Sequence, residues 1–157
     1  MKLRRSRGFT LPELMIVVAI LSVLIAAGVP SFAEFIRNQR VKTASFDLFA
    51  SLVVARSEAI TRRTTVTLTP ASTANWANGW TITYVDPTSG STVTLRDQQA
   101  MPNLTITGPT SVVYRSSGRL TGTATPQFQL TSSGASVVTR CLNVDLSGRP
   151  VSKAAAC

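Results

Sequence analysis

Histidine is absent from this 157-residue chain, and only two cysteines and seven acidic residues accompany its 16 lysines and arginines. With no imidazole, the commonest general acid–base group is missing. Two cysteines without histidine cannot complete a zinc shell. Beyond residue 60 the acids are Asp86, Asp97 and Asp145, scattered among turns and strand ends. No nucleophile stands beside a recognisable base, so the residues point away from an enzyme and imply neither metal nor cofactor. Internal repeats are also lacking, and the length suits one domain plus an anchor.

What is present is unevenly placed. The formal charge is +9. Lys2, Arg4, Arg5 and Arg7 precede Gly8 with no acid among them. Beyond residue 60, eight basic side chains against three acidic ones leave a net +5. Such a surface either attracts nucleic acid or another anionic partner, or is simply a solvated arginine-rich face.

From Leu14 to Ala33 the sequence carries no charge, a run matching the about 20 apolar residues that span a bilayer as a helix. It is too long for the core of a cleaved secretory signal, and no A-x-A-like site ends it. Glu13 stands at its edge. A carboxylate deep in such a segment costs about 2.5–3.5 kcal/mol, so it calls for a partner. Helical periodicity continues past the run through Phe32, Phe35 and Ile36. It then passes to Leu48, Leu52, Ala55 and Ala59, with Phe49, Val53 and Ile60 beside them. One helix from about Thr10 to Ile60 is expected, with a lipid half and an amphipathic half. Pro12 is tolerated in a first turn, whereas Pro30 should kink or loosen the interior.

After "ITRR" the texture changes to short Val-, Thr- and Ile-rich runs: "TTVTLT", "WTITYV", "STVTLR", "NLTIT", "SVVYR", "QFQL" and "SVVTRCLNVDL". Turn signals such as "PTSG", "SSGR", "SSGA" and "SGRP" divide them. The expected fold is α+β: a long N-terminal helix packed on a small antiparallel β-sheet domain, which needs the amphipathic half-helix to cover one sheet face. If this domain lies in an oxidising compartment across a membrane, Cys141 and Cys157 pair. The loop they close is worth roughly 3 kcal/mol in the entropic account. Two free thiols are the alternative. Gly79, Gly118 and Gly148 fit turns that need positive φ, and Trp76 and Trp80 fit the core.

The stretch "RRSRGFTLPEL" resembles the processing signal of type IV pilins and type II secretion pseudopilins, and the resemblance covers the N-terminal 60 residues. "NWANGW", "YRSSGRL" and "CLNVDLSGRP" look like the GspH/FimT/FimU group of minor pilins and pseudopilins. The resemblance implies the pilin fold and a division into four parts. Residues 1–8 form a cleaved basic leader, 9–33 a transmembrane and filament-core half-helix, 34–60 the amphipathic half, and 61–157 a β-rich periplasmic head. It implies that a prepilin peptidase cuts between Gly8 and Phe9 and N-methylates Phe9. The new amino group would pair with Glu13 of a neighbouring subunit, offsetting the cost of each buried charge. The implied place is the bacterial inner membrane, single-pass, followed by incorporation into a filament beside other major and minor pilins. The implied role is a minor pilin that primes pilus assembly.

Two alternatives stay open: a DNA-binding pilin for natural transformation, and a minor pseudopilin of a type II secretion system. Some FimT-type proteins bind DNA through a C-terminal Gly-Arg-x-Arg motif. Here Gly148, Arg149, Pro150 and Val151 stand in its place, without the second arginine. Arg140, Arg149 and Lys153 remain the candidate DNA contacts, implying weak binding.

Gly8→Ala should block processing, because such peptidases need a small, flexible residue before the cut. Intact-mass analysis of the membrane form reads this directly. A mutant mass beginning at methylated Phe9 would contradict the assignment.

Overall fold

A computed structural model describes residues 9–72, 75–133 and 137–157, with side chains for all of these but 26–31. Helix α1 spans Leu11–Arg62. Its start shows one half of a capping box: the Thr10 carbonyl accepts the first helical bond from Leu14 N–H (3.2 Å), and the Thr10 N–H donates to Glu13 Oε2 (3.4 Å). Pro12 falls in this first turn, where no amide hydrogen is required. The last turn is held by Arg62, whose Nε donates to Glu58 Oε2 at 2.6 Å and whose guanidinium lies 4.6 Å from the Tyr84 ring centroid. Arg63, at φ 53°, turns the chain out of the helix.

The chain divides into two compact units, Met1–Ile36 and Arg37–Cys157. In the first, every described side chain from Phe9 to Ile25 is exposed. Among the described residues no helix is long and apolar enough to cross a membrane. The described apolar run stops at Ile25, short of the about 20 residues a span needs. The expected leader 1–8 lies outside the described residues, as do the side chains of 26–31, Pro30 among them.

The second unit contains the expected antiparallel β domain. Its strands are β1 (Val66–Pro70), β2 (Trp80–Val85), β3 (Thr92–Gln98), β4 (Thr105–Thr107), β5 (Val112–Tyr114), β6 (Gln127–Thr131), β7 (Arg140–Val144) and β8 (Pro150–Lys153). They form two four-stranded sheets, ordered β3-β2-β1-β5 and β4-β6-β7-β8, with every pair antiparallel. The sequence signals for β1 to β7 all become strands. Strand β8 had no such signal, because "SGRP" reads as a turn. Proline can start an edge strand, where its missing N–H is not needed.

One core joins the helix to both sheets. Val41, Ala44, Leu48, Leu52, Ala55 and Ala59 form its helical stripe. Val66, Leu68, Trp80, Ile82, Val112 and Tyr114 come from the first sheet, and Ile106, Phe128, Leu130, Leu142 and Val144 from the second. Trp76, in the 3₁₀ turn Trp76–Asn78, meets Phe128 edge-on at 4.9 Å and donates its indole N–H to Pro109 O at 2.8 Å. The stripe combines bulky Val41, Leu48 and Leu52 with small Ala44, Ala55 and Ala59. Buried Ser45 and Ser51 are satisfied by Ser152 Oγ (3.1 Å) and Asp47 O (2.8 Å). Phe32 and Phe35, expected to open the stripe, are exposed and stack on each other.

Leu52→Ala should cost about 2–5 kcal/mol, the range for a buried leucine truncated to alanine. Phe46→Ala, at a 59% exposed position of the same helix, should stay within about 0.5 kcal/mol. Denaturant unfolding of the detergent-solubilised chain, followed by tryptophan fluorescence, checks both. Equal losses would contradict the placement of the stripe.

Candidate functional site

The residues singled out by sequence fall in three places. At the N-terminus, Gly8 lies outside the described residues, while Phe9 is exposed and Glu13 sits in the first turn of α1. Glu13 therefore has a local partner that sequence reasoning missed, the backbone N–H of Thr10. The signal was available as Thr-x-x-Glu opening an apolar run. A carboxylate here also faces the positive end of the helix dipole.

The second place is the C-terminal end. Cys141 and Cys157 form a disulfide with their Cα atoms 5.0 Å apart. It ties the last residue to β7. In the register of β7 and β8, Cys141 lies opposite Lys153 and Val144 opposite Pro150. Arg140 and Lys153 thus sit at one end of this hairpin, and Arg149 in the turn at the other. At about 3.3 Å per strand residue the four positions from Arg149 to Lys153 span roughly 13 Å. The structure does not gather Arg140, Arg149 and Lys153 into one cluster.

The third place is where Arg149 does lie. Two turns share one chemistry: Arg115-Ser116-Ser117-Gly118-Arg119 after β5, and Asp145-Leu146-Ser147-Gly148-Arg149 between β7 and β8. In each, the first residue's N–H donates to the carbonyl of the fifth (2.9 Å and 3.1 Å). The glycine N–H donates back to the first residue's carbonyl (2.8 Å and 2.9 Å). Gly118 and Gly148 have φ 73° and 84°, the left-handed region that a side chain strains. The turns touch. Leu120 N–H donates to Leu146 O at 3.4 Å, and a Cβ at Gly148 would collide with Gly118 O. Arg56 of α1 seals the contact, its Nε donating to Gly118 O at 3.0 Å.

Beneath the turns lies the Tyr114 hydroxyl, buried and without a hydrogen-bond partner among the described residues. Burial pushes its pKa well above the ordinary tyrosine range, with Arg56 opposing the shift and Asp145 adding to it. Asp145 is held below its ordinary 3.8 by the hydroxyl of Ser147, then by the Arg149 N–H. Its Oδ1 accepts from Ser147 Oγ at 2.6 Å and from Arg149 N–H at 2.9 Å. That acid is occupied by its own turn, while Arg115, Arg119 and Arg149 are exposed.

The family described as Type II transport protein GspH matches residues 44–148, and a prokaryotic N-terminal methylation motif matches residues 3–29. The chain belongs to the GspH family, whose members are pilin-like subunits built as a long N-terminal helix on antiparallel sheets. Among solved structures it is similar to the type IV minor pilin FimU of Pseudomonas aeruginosa in two crystal forms. One gives 24% identity and a TM-score of 0.65 over 76% of this chain and 92% of that one. The other gives 25% and 0.62 over 71% and 91%. The minor pseudopilin EpsH from the type 2 secretion system of Vibrio cholerae has 12% identity and a TM-score of 0.58, over 73% of this chain and 97% of that one. No curated protein matches the chain.

The depressed Asp145 pKa makes the second turn acid-sensitive. A carboxylate lowered in the folded state stabilises fully above its unfolded value of 3.8, and that stabilisation is lost as pH falls through the folded value. Asp145→Asn should therefore lower the melting temperature near neutral pH. The gap to wild type should narrow at about pH 3. Thermal melts at the two pH values decide it, and a gap of unchanged size would contradict the assignment.

Proposed function

We propose that this chain is a minor pilin of a type IV pilus, a non-enzymatic subunit that helps to prime filament assembly. The observation that carries the reading is the first turn of α1. Glu13 opens a helix whose described side chains from Phe9 to Ile25 are all exposed. Membership of the GspH family and the methylation motif at residues 3–29 support it, as does the 25% identity to FimU.

In this reading the chain sits in the inner membrane with its head in the periplasm until a prepilin peptidase cuts between Gly8 and Phe9 and methylates Phe9. The helix then leaves lipid for the filament, where its apolar face meets other pilins. Glu13 exchanges its weak contact with Thr10 for the charged amino group of a neighbour's Phe9. In low dielectric that pairing offsets the cost of both charges and fixes the stagger between subunits. The second reading, a minor pseudopilin of a type II secretion system, is favoured by the match to the Type II transport protein GspH family. Deleting the chain separates the two: loss of pili with secretion intact supports the first, and the reverse supports the second.

Glu13→Val should leave membrane insertion intact, since it removes a charge from an apolar helix, and should reduce crosslinking to other pilins. Crosslinking at wild-type level would remove the pairing argument.

A further inference from the structure

Resting on the inner-membrane reading above, we propose that the end of the head at which α1 enters it binds the anionic headgroups of a phospholipid bilayer, with Arg37, Arg40, Lys42, Arg140 and Lys153 as its cations. Three segments meet there: 37–45 of α1, and 137–141 and 152–157 at the open end of the β7–β8 hairpin. The Val138 N–H donates to Asn38 Oδ1 at 2.8 Å, and the hydroxyls of Ser45 and Ser152 share a hydrogen bond at 3.1 Å. The Cys141–Cys157 disulfide holds the last residue to the same place. Together the three segments carry five cations and no acidic side chain. Among the described residues none of the five makes an ion pair. Arg40, Lys42 and Lys153 are exposed, while Arg37 and Arg140 are half-buried.

Position and charge both favour a bilayer. Arg37 and Arg40 stand one helical turn before Val41 and Ala44, so they carry the face of the buried stripe past the sheets. Helical side chains lean toward the helix N-terminus, which directs these guanidinium groups away from the core. At most nine residues separate Arg37, Arg40 and Lys42 from Ala33, the last of the uncharged run. A bilayer that holds that run places them beside its headgroups. The positive-inside rule puts flanking cations on the cytoplasmic side, so topology does not account for cations on this flank. Anionic headgroups attract juxtamembrane lysine and arginine, by about fivefold in affinity for each at low salt. An apolar contact with another protein is poorly served here. Such interfaces build an apolar or aromatic centre, and Val138 is the one exposed large apolar side chain in the three segments.

The test reconstitutes the full-length protein into nanodiscs holding equal parts of phosphatidylcholine and phosphatidylglycerol. Native mass spectrometry then counts the lipids of each kind that stay bound. Wild type should retain phosphatidylglycerol in preference, and added salt should weaken that preference. Arg140→Gln combined with Lys153→Gln should lower it by about fivefold for each cation lost. Both residues lie on the hairpin and not on α1, so their effect reports the folded head reaching the bilayer. Arg119→Gln combined with Arg149→Gln removes the same charge from the stacked turns and should leave the preference at wild-type level. If Arg140→Gln lowers the melting temperature, the exposed Lys153→Gln alone carries the decision. Insertion without any preference for phosphatidylglycerol overturns the proposal and leaves the membrane reading standing, whereas failure to insert overturns both. An equal loss in the variant of the stacked turns overturns it as an effect of net charge alone. A preference that survives Arg140→Gln with Lys153→Gln also overturns it, and lost crosslinking to other pilins in that variant would assign these cations to a subunit contact.

Discussion

The stripe Val41, Ala44, Leu48, Leu52, Ala55 and Ala59 is the contact on which the domain's other packing depends. Neither sheet can stand alone: each has four short strands and one apolar face, and such a face must be covered to be stable in water. The helix does this for both sheets at once. Leu48 and Leu52 supply much of its buried bulk, and Val41 and three alanines complete the stripe. Edge strand β8 is drawn in as well, through the paired hydroxyls of Ser45 and Ser152. The stripe also explains why Arg56 can serve the turns. It lies one position past Ala55, at the margin of the buried face, where its stem is half-covered and its Nε reaches Gly118 O.

Much of this was legible in the sequence because periodicity is a local signal. Leu48, Leu52, Ala55 and Ala59 recur every three or four residues, and all are buried. Trp80 and Ile82 alternate with threonines and point into the core. The positive φ of Gly79, Gly118 and Gly148 followed from turn chemistry alone. What escaped was non-local or disguised. Strand β8 hid behind Pro150, since a proline after Ser-Gly-Arg reads as a turn. Phe32 and Phe35 matched the helical period yet are exposed, because a period says which face a residue is on and not whether anything covers that face.

Glu13 acts first within its own helix. A carboxylate three residues after a threonine closes the first helical turn within its own chain, which lets the helix start with its exposed amides partly satisfied. At 3.4 Å that contact is long, and it leaves the second carboxylate oxygen free of any described partner. An acid held this loosely is available to a stronger, charged donor. A tight local cap would compete with such a donor; the observed geometry does not.

The arginines illustrate the limit of adjacency along a chain. Arg140, Arg149 and Lys153 are close in sequence, but a β-hairpin sets its turn and its open end apart, and Arg149 belongs to the turn. The turn it packs against is instead a second one that carries the same Ser-Gly-Arg sequence, "SSGR" beside "LSGR". The repeat was visible in the sequence, but its meaning depended on the meeting of two sheets. That meeting needs a glycine at position 148, where a Cβ would strike Gly118 O, whereas a Cβ at Gly118 would press on Ile60 of α1 instead. The same absence of side chains that permits the left-handed turns also permits their contact. The two turns are thus brought together by backbone packing, while Arg119 and Arg149 themselves remain exposed.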